Sequence, residues 1–297
     1  MKIWPAPDEK TSARTQAAGA APGFVPLARY VLLRAAKEFI QDDIMTVAAA
    51  ATFYILLGFF PAIAAFVSLY GLFADVHSVR AHLSFLTGFV PSDVLRFVGN
   101  EMLRLTSALP SRLSGTFFVG LAFSIWSANA AVMALIAGLN VAYEERETRG
   151  IVVARLVSLA ITVSVLLVSV GAVFLFLALP AMQTDLGFPS LHFLRDFRWP
   201  IIYCGVLIVV CAMYAYGTSG KPRPRRRVVP GALFASTVWL GGSFGFSWYV
   251  SHLAHYDRTY GSLATIVGFL MWIWLGLMIV LFGAELNCEL GRVRPKK

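Results

Sequence analysis

Six stretches of this chain suit the interior of a bilayer, and nothing else in the sequence limits its fold so tightly. Residues 46–73, 115–142, 156–180, 200–217 and 229–251 contain no Asp, Glu, Lys or Arg, and residues 262–287 contain only Glu285, close to their end. A hydrocarbon core takes roughly 20 apolar residues per helix, and lipid leaves only helices and closed barrels able to satisfy their own backbone. Composition points the same way. The chain is 58% hydrophobic and 14% charged, whereas soluble domains carry about a quarter charged residues. The expected fold is all-α: a polytopic membrane protein with six transmembrane helices. Its membrane domain, 25–290, lies between a disordered cytoplasmic tail, 1–24, and a basic cytoplasmic tail, 291–297.

Lys and Arg in the connections set the threading. With the N-terminus inside, only Arg80, Arg96, Arg104, Arg112, Arg195, Arg198 and Arg258 fall outside, and the remainder of the 25 basic residues fall inside. The positive-inside rule then predicts a multi-pass chain with both termini in the cytoplasm. The formal charge of +9 is explained by topology. "GKPRPRRRVVP", residues 220–230, reads as a short inner loop facing anionic lipid headgroups rather than as a nucleic-acid patch.

Two stretches are expected to lie on the membrane. Residues 25–43 mix Arg29, Arg34, Lys37 and Glu38 with Leu, Val and Phe, the pattern of an interfacial helix feeding the first span. Residues 92–109 begin with Ser92 as an N-cap and place Val94, Val98, Met102, Leu105 and Leu109 at helical spacing. Asp93, Arg96, Glu101 and Arg104 forbid a span there, so an external helical cap is expected between spans one and two.

Polar and helix-breaking residues within the spans are the candidate functional positions. Pro61 cannot donate to the carbonyl of Leu57, which predicts a kinked or broken helix, either as packing adaptation or as part of a substrate site. Asn129 lies near the centre of span two and needs a partner there, a neighbouring helix or a wet cavity. Gly120, Ser124, Ala128, Ala131 and Gly138 give that span a small-residue face. Gly241, Gly242 and Gly245 in span five allow tight packing or loosen the helix. No carboxylate occupies the centre of a span, unlike carriers driven by a buried acid. At 1.5 Å per residue from Gly261, Glu285 and Asn287 reach the inner interface. Asp42, Asp43, Asn140, Arg155 and Arg227 arrive at the same level. Glu285 is expected either to pair with Arg155 or Arg227 or to remain solvated.

Catalytic signals are sparse. His77, His82, His192, His252 and His255 all map to outer connections, and His252 with His255 lacks the Cys or carboxylate company of a metal site. Cys204 and Cys211 are about 10 Å apart in helical rise, too far for a disulfide. No phosphate loop, Gly-x-Ser-x-Gly or His-Glu-x-x-His motif is present. No catalytic residue, metal or cofactor is expected.

"AAAATFYILLGFFPAI", "SIWSANAAVMALIAGLNVAYEERETRG", "RRRVVPGALFASTVWLGGSFGFSWYVS" and "YGSLATIVGFLMWIWLGLMIVLFGAELNCEL" together resemble the YihY/BrkB family over about residues 25–290. The resemblance implies a six-helix protein of the bacterial inner membrane. Some members carry virulence-factor labels and some a ribonuclease BN label for tRNA processing; no catalytic motif carries over. The leading expectation is a transporter or exporter of a lipid or other amphipathic envelope component. The alternative is a membrane organiser recruiting partners at the cytoplasmic face, and a tRNA nuclease fits least. Membrane lipids are the expected partners, nucleic acid is not, and the small-residue faces allow a homo-oligomer.

Overall fold

The computed structural model describes residues 24–70, 99–100, 115–173, 197–219, 224–252 and 264–293. Helix α1 (Phe24–Gln41) precedes α2 (Ile44–Tyr70), α3 (Gly115–Ala142) and α4 (Ile151–Val173). Then come α5 (Arg198–Ala212), continued by a π-helical turn at Met213–Gly217, α6 (Arg225–His252) and α7 (Ala264–Val293). The described residues are helical without strands, and six of the helices are long and apolar enough to cross a membrane. The expected cap at 92–109 lies outside the described residues apart from 99–100, as do 1–23 and 294–297 of the two tails.

Lipid is as apolar as leucine, so these helices associate through close approach and polar contacts. Helix α2 packs on α3 through serine hydroxyls: Ser127 donates to the Tyr54 carbonyl at 2.6 Å, and Ser124 to Gly58 at 3.2 Å. A Cβ at Gly58 would lie 2.8 Å from that of Ser127, so glycine is what lets the hydroxyl reach the α2 backbone. Helix α2 continues through Pro61 unbroken, and Pro61 stands beside Gly120 of α3. Gly138 similarly admits Val47 of α2 and Leu281 of α7.

Helix α7 is the hub, packing on α1, α2, α3 and α6. The buried core gathers toward one end of the bundle, where Phe39, Ile44, Leu139, Met213, Tyr214, Val228 and Leu281 meet. That end is built from the α1–α2 junction, residues 143–150, residues 217–219 and the last turns of α7. Helix α4 is the least enclosed, with Val152, Leu156, Val163, Leu167 and Val170 exposed.

Candidate functional site

The same end of the bundle concentrates the buried polar side chains, in three groups. The first is the crossing of α6 and α7. Gly231 and Gly283 bring the two backbones into contact: a Cβ on Gly231 would run into the Gly283 carbonyl oxygen and the Asn287 amide. Asn287 exploits that approach. Its Oδ1 accepts from the Gly231 amide at 2.7 Å, and its Nδ2 donates to the Val228 carbonyl at 3.0 Å and the Tyr143 hydroxyl at 3.3 Å. The Tyr214 hydroxyl donates to the Val280 carbonyl at 2.5 Å.

The second group closes the connection after α3. That helix ends in a Schellman turn: the Glu145 amide donates to the Asn140 carbonyl and the Glu144 amide to Val141, with Glu144 at φ 53°. Glycine is the usual residue in this left-handed position. The Asn140 side chain donates to Glu147 at 3.0 Å and accepts from the Ser219 amide at 3.0 Å. Arg149 donates to the Tyr216 and Gly217 carbonyls, capping the π turn. Burial alone would raise the Glu147 carboxyl, but Ser219, the Arg149 amide, Asn140 and the Arg149 charge outweigh it and hold it below the ordinary carboxylate range.

The third group is a charged seam between α1 and α7. Glu285, Glu289 and Arg292 follow one another at i, i+4 and i+7, a single stripe of α7. Glu285 and Glu289 are 2% and 0% exposed. Arg34 of α1 places Nε 3.2 Å from Glu289, Arg292 binds Glu289, and Arg292 reaches Glu144 at 2.7 Å. The Oε1 atom of Glu285 is buried with no hydrogen-bond partner. The charged groups acting on it are Asp42, Glu38, Arg292 and Glu289.

These contacts sort the expected positions. Neither Arg155 nor Arg227 pairs with Glu285: both are exposed at helix ends, and the arginines of the seam are Arg34 and Arg292 instead. Asp42 acts electrostatically on Glu285, whereas Asp43 occupies the left-handed region at φ 51° in the turn between α1 and α2. Asn129 accepts from Ser158 of α4 at 2.6 Å, so its partner is a neighbouring helix. Pro61 lies on the α2–α3 contact and Asn129 on the α3–α4 contact; they do not converge. A Cβ on Gly242 would lie 3.6 Å from Ile279, while one on Gly241 or Gly245 would meet nothing within 4 Å. Cys204, Cys211 and Cys288 are not joined in disulfides. His252 is described only in its backbone, and the other four histidines lie outside the described residues. Among the described residues no three His, Cys, Asp or Glu side chains form a metal-holding group. Sequence reasoning missed Arg34, Glu289 and Arg292, although Arg34/Glu38 and Glu285/Glu289 are both i, i+4 pairs on facing helices.

The sequence profile of a family described as virulence factor BrkB matches residues 35–297. YfkH of Bacillus subtilis strain 168, named ribonuclease-like, is 31% identical over 61% of this chain and 68% of its own. A UPF0761 membrane protein of Pseudoalteromonas translucida strain TAC 125 is 30% identical over 83% of this chain and 81% of its own. A UPF0761 membrane protein of Pseudomonas paraeruginosa strain PA7 is 27% identical over 87% of this chain and 62% of its own. No solved structure matches.

Proposed function

The chain belongs to the virulence factor BrkB family of integral membrane proteins, and from that premise we propose that it transports or exports a lipid or other amphipathic envelope component across the bacterial inner membrane. One observation carries this reading: two glutamates buried at 2% and 0% exposure in the last turns of a helix long and apolar enough to span. Ionisable groups so placed are expensive and mark ion or substrate pathways. Arg34 and Arg292, paired with Glu289 and Glu144 but still 25% and 26% exposed, give the seam a polar rim that a headgroup would meet.

Both termini belong in the cytoplasm by the charge of the loops. Helix α1 supports an interfacial seat. It buries Val31, Ala35 and Phe39 and leaves Tyr30, Leu33 and Ile40 exposed beside the exposed Arg29 and Lys37, a face suited to anionic lipid. We assign no enzymatic activity. The ribonuclease-like name belongs to YfkH.

An organiser that recruits partners is the second reading, favoured by the backbone-to-backbone packing of α6 on α7. Mass spectrometry of species retained in lipid nanodiscs separates the two, comparing wild type with Arg34→Gln and with Asn129→Leu away from the seam. One amphipathic species enriched in wild type and lost only in Arg34→Gln, and then moved across liposomes by the wild type, supports transport. Bulk lipid alone in all three points to the organiser.

A further inference from the structure

Glu285 is the one carboxylate of the seam whose buried oxygen meets neither a donor nor an arginine. Its Oε1 is closed off from solvent and unpartnered, while Arg34 is committed to Glu289 and Arg292 to Glu289 and Glu144. Glu38 of α1, Asp42 of the α1–α2 turn, and Cys288, Glu289 and Arg292 of its own helix act on it electrostatically. An ionised carboxylate in that setting lacks compensation and adds repulsion against Asp42 and Glu38. A metal ion has no ligand set here among the described residues. The cation that fits is a proton.

We infer that Glu285 is a proton-binding site at the α1–α7 seam, and that its occupancy decides whether the Asp42–Asp43 turn lies closed against α7. With the proton bound, Glu285 is neutral and the seam closes. On release, the proton passes from the carboxyl to solvent at this end of the bundle, and the carboxylate left behind repels Asp42 and Glu38. The turn can answer that repulsion. Two residues join α1 to α2, Asp43 is left-handed at φ 51°, and flanking bonds from the Asp42 amide to Glu38 and the Thr46 amide to Asp43 bound the pivot. Hinges of this kind need only a few residues at the ends of elements. The inference deepens the transport reading by making the proton its coupling ion, and only that role depends on the reading.

The test uses the full chain in nanodiscs and two readouts that need no substrate. Infrared spectroscopy should show a protonated-carboxyl band at neutral pH that is lost in Glu285→Gln, retained in Glu289→Gln and displaced in Glu285→Asp. Thermal melting identifies any variant that fails to fold, and the aspartate variant keeps the assignment testable if the glutamine one does. Spin labels at Gln41 and Arg146, in a chain with its three cysteines replaced by serine, should separate as pH rises. One proton makes the open-to-closed ratio change at most about tenfold per pH unit, and Glu285→Gln should stay closed throughout. A band unchanged in Glu285→Gln, or an identical pH response in that variant, overturns the proton site. An intact band and hinge with no flux of any species removes transport and leaves the proton site standing.

Discussion

The two seams that α7 makes at the polar end follow opposite rules. Against α6 it offers no side chain at Gly283, so that backbone meets backbone, and Asn287 spends both ends of its amide on three partners. Against α1 it offers full-length charged side chains; the buried Oε2 of Glu289 has Arg34 beside it, and the buried Oε1 of Glu285 has neither a donor nor an arginine. A fully satisfied polar contact in a dry crossing holds one geometry, because every alternative breaks a bond that nothing replaces. A charged seam with an unsatisfied member has a second arrangement within reach. The fixed pairing on one side of α7 gives the other side something to move against.

The sharpest way to break this contrast is Gly231→Ala. A methyl group there cannot fit beside the Gly283 carbonyl without moving a backbone, and about 3 kcal/mol of destabilisation is expected, read as lost folded yield and a lower melting temperature. Glu289→Ala comes next. It strands two arginines, but Arg34 and Arg292 keep 25% and 26% of their side chains exposed, so about 2 kcal/mol is expected, below a fully buried pair. If Glu289→Ala proved costlier than Gly231→Ala, the α1 seam would be the rigid one. Asn129→Leu should cost about 1 kcal/mol by removing the acceptor for Ser158, with the melting temperature as the check. The smallest effect concerns pH. Because the folded state holds Glu147 below the ordinary carboxylate range, its contribution is present at neutral pH and is lost as pH falls through the folded value. Glu147→Gln should remove that part of the acid dependence, visible in melts below the normal carboxylate range.

Much of the architecture was readable because lipid imposes length and charge so strictly. The run 115–142 coincides with α3, and the run 200–217 ends where the π turn does. The apolar run before Glu285 also gives the depth of that residue, since rise per residue is fixed. Its partners could not be read, because rotation about the helix axis is set by small residues whose neighbours are distant in sequence. Gly231 and Gly283 look like ordinary span glycines until their backbones touch. Arg155 and Arg227 reach the right level and face outward, whereas Arg34 arrives from a helix whose packing against α7 no local pattern announces. Asn129 shows the same limit: its need for a partner is evident, but Ser158 is 29 positions away.

The π turn at Met213–Gly217 works as a phase shifter. Each of its hydrogen-bonded loops holds one residue more than an α-helical loop, so the wall after it is rotated relative to the wall before it without any break in the span. That offset turns the Tyr214 hydroxyl toward Val280 and leaves the Tyr216 and Gly217 carbonyls for Arg149. Removing a single residue here would restore the α-helical count, swing the tyrosine off its target and uncouple the 143–150 connection from α5, while the hydropathy profile of the span stayed almost the same.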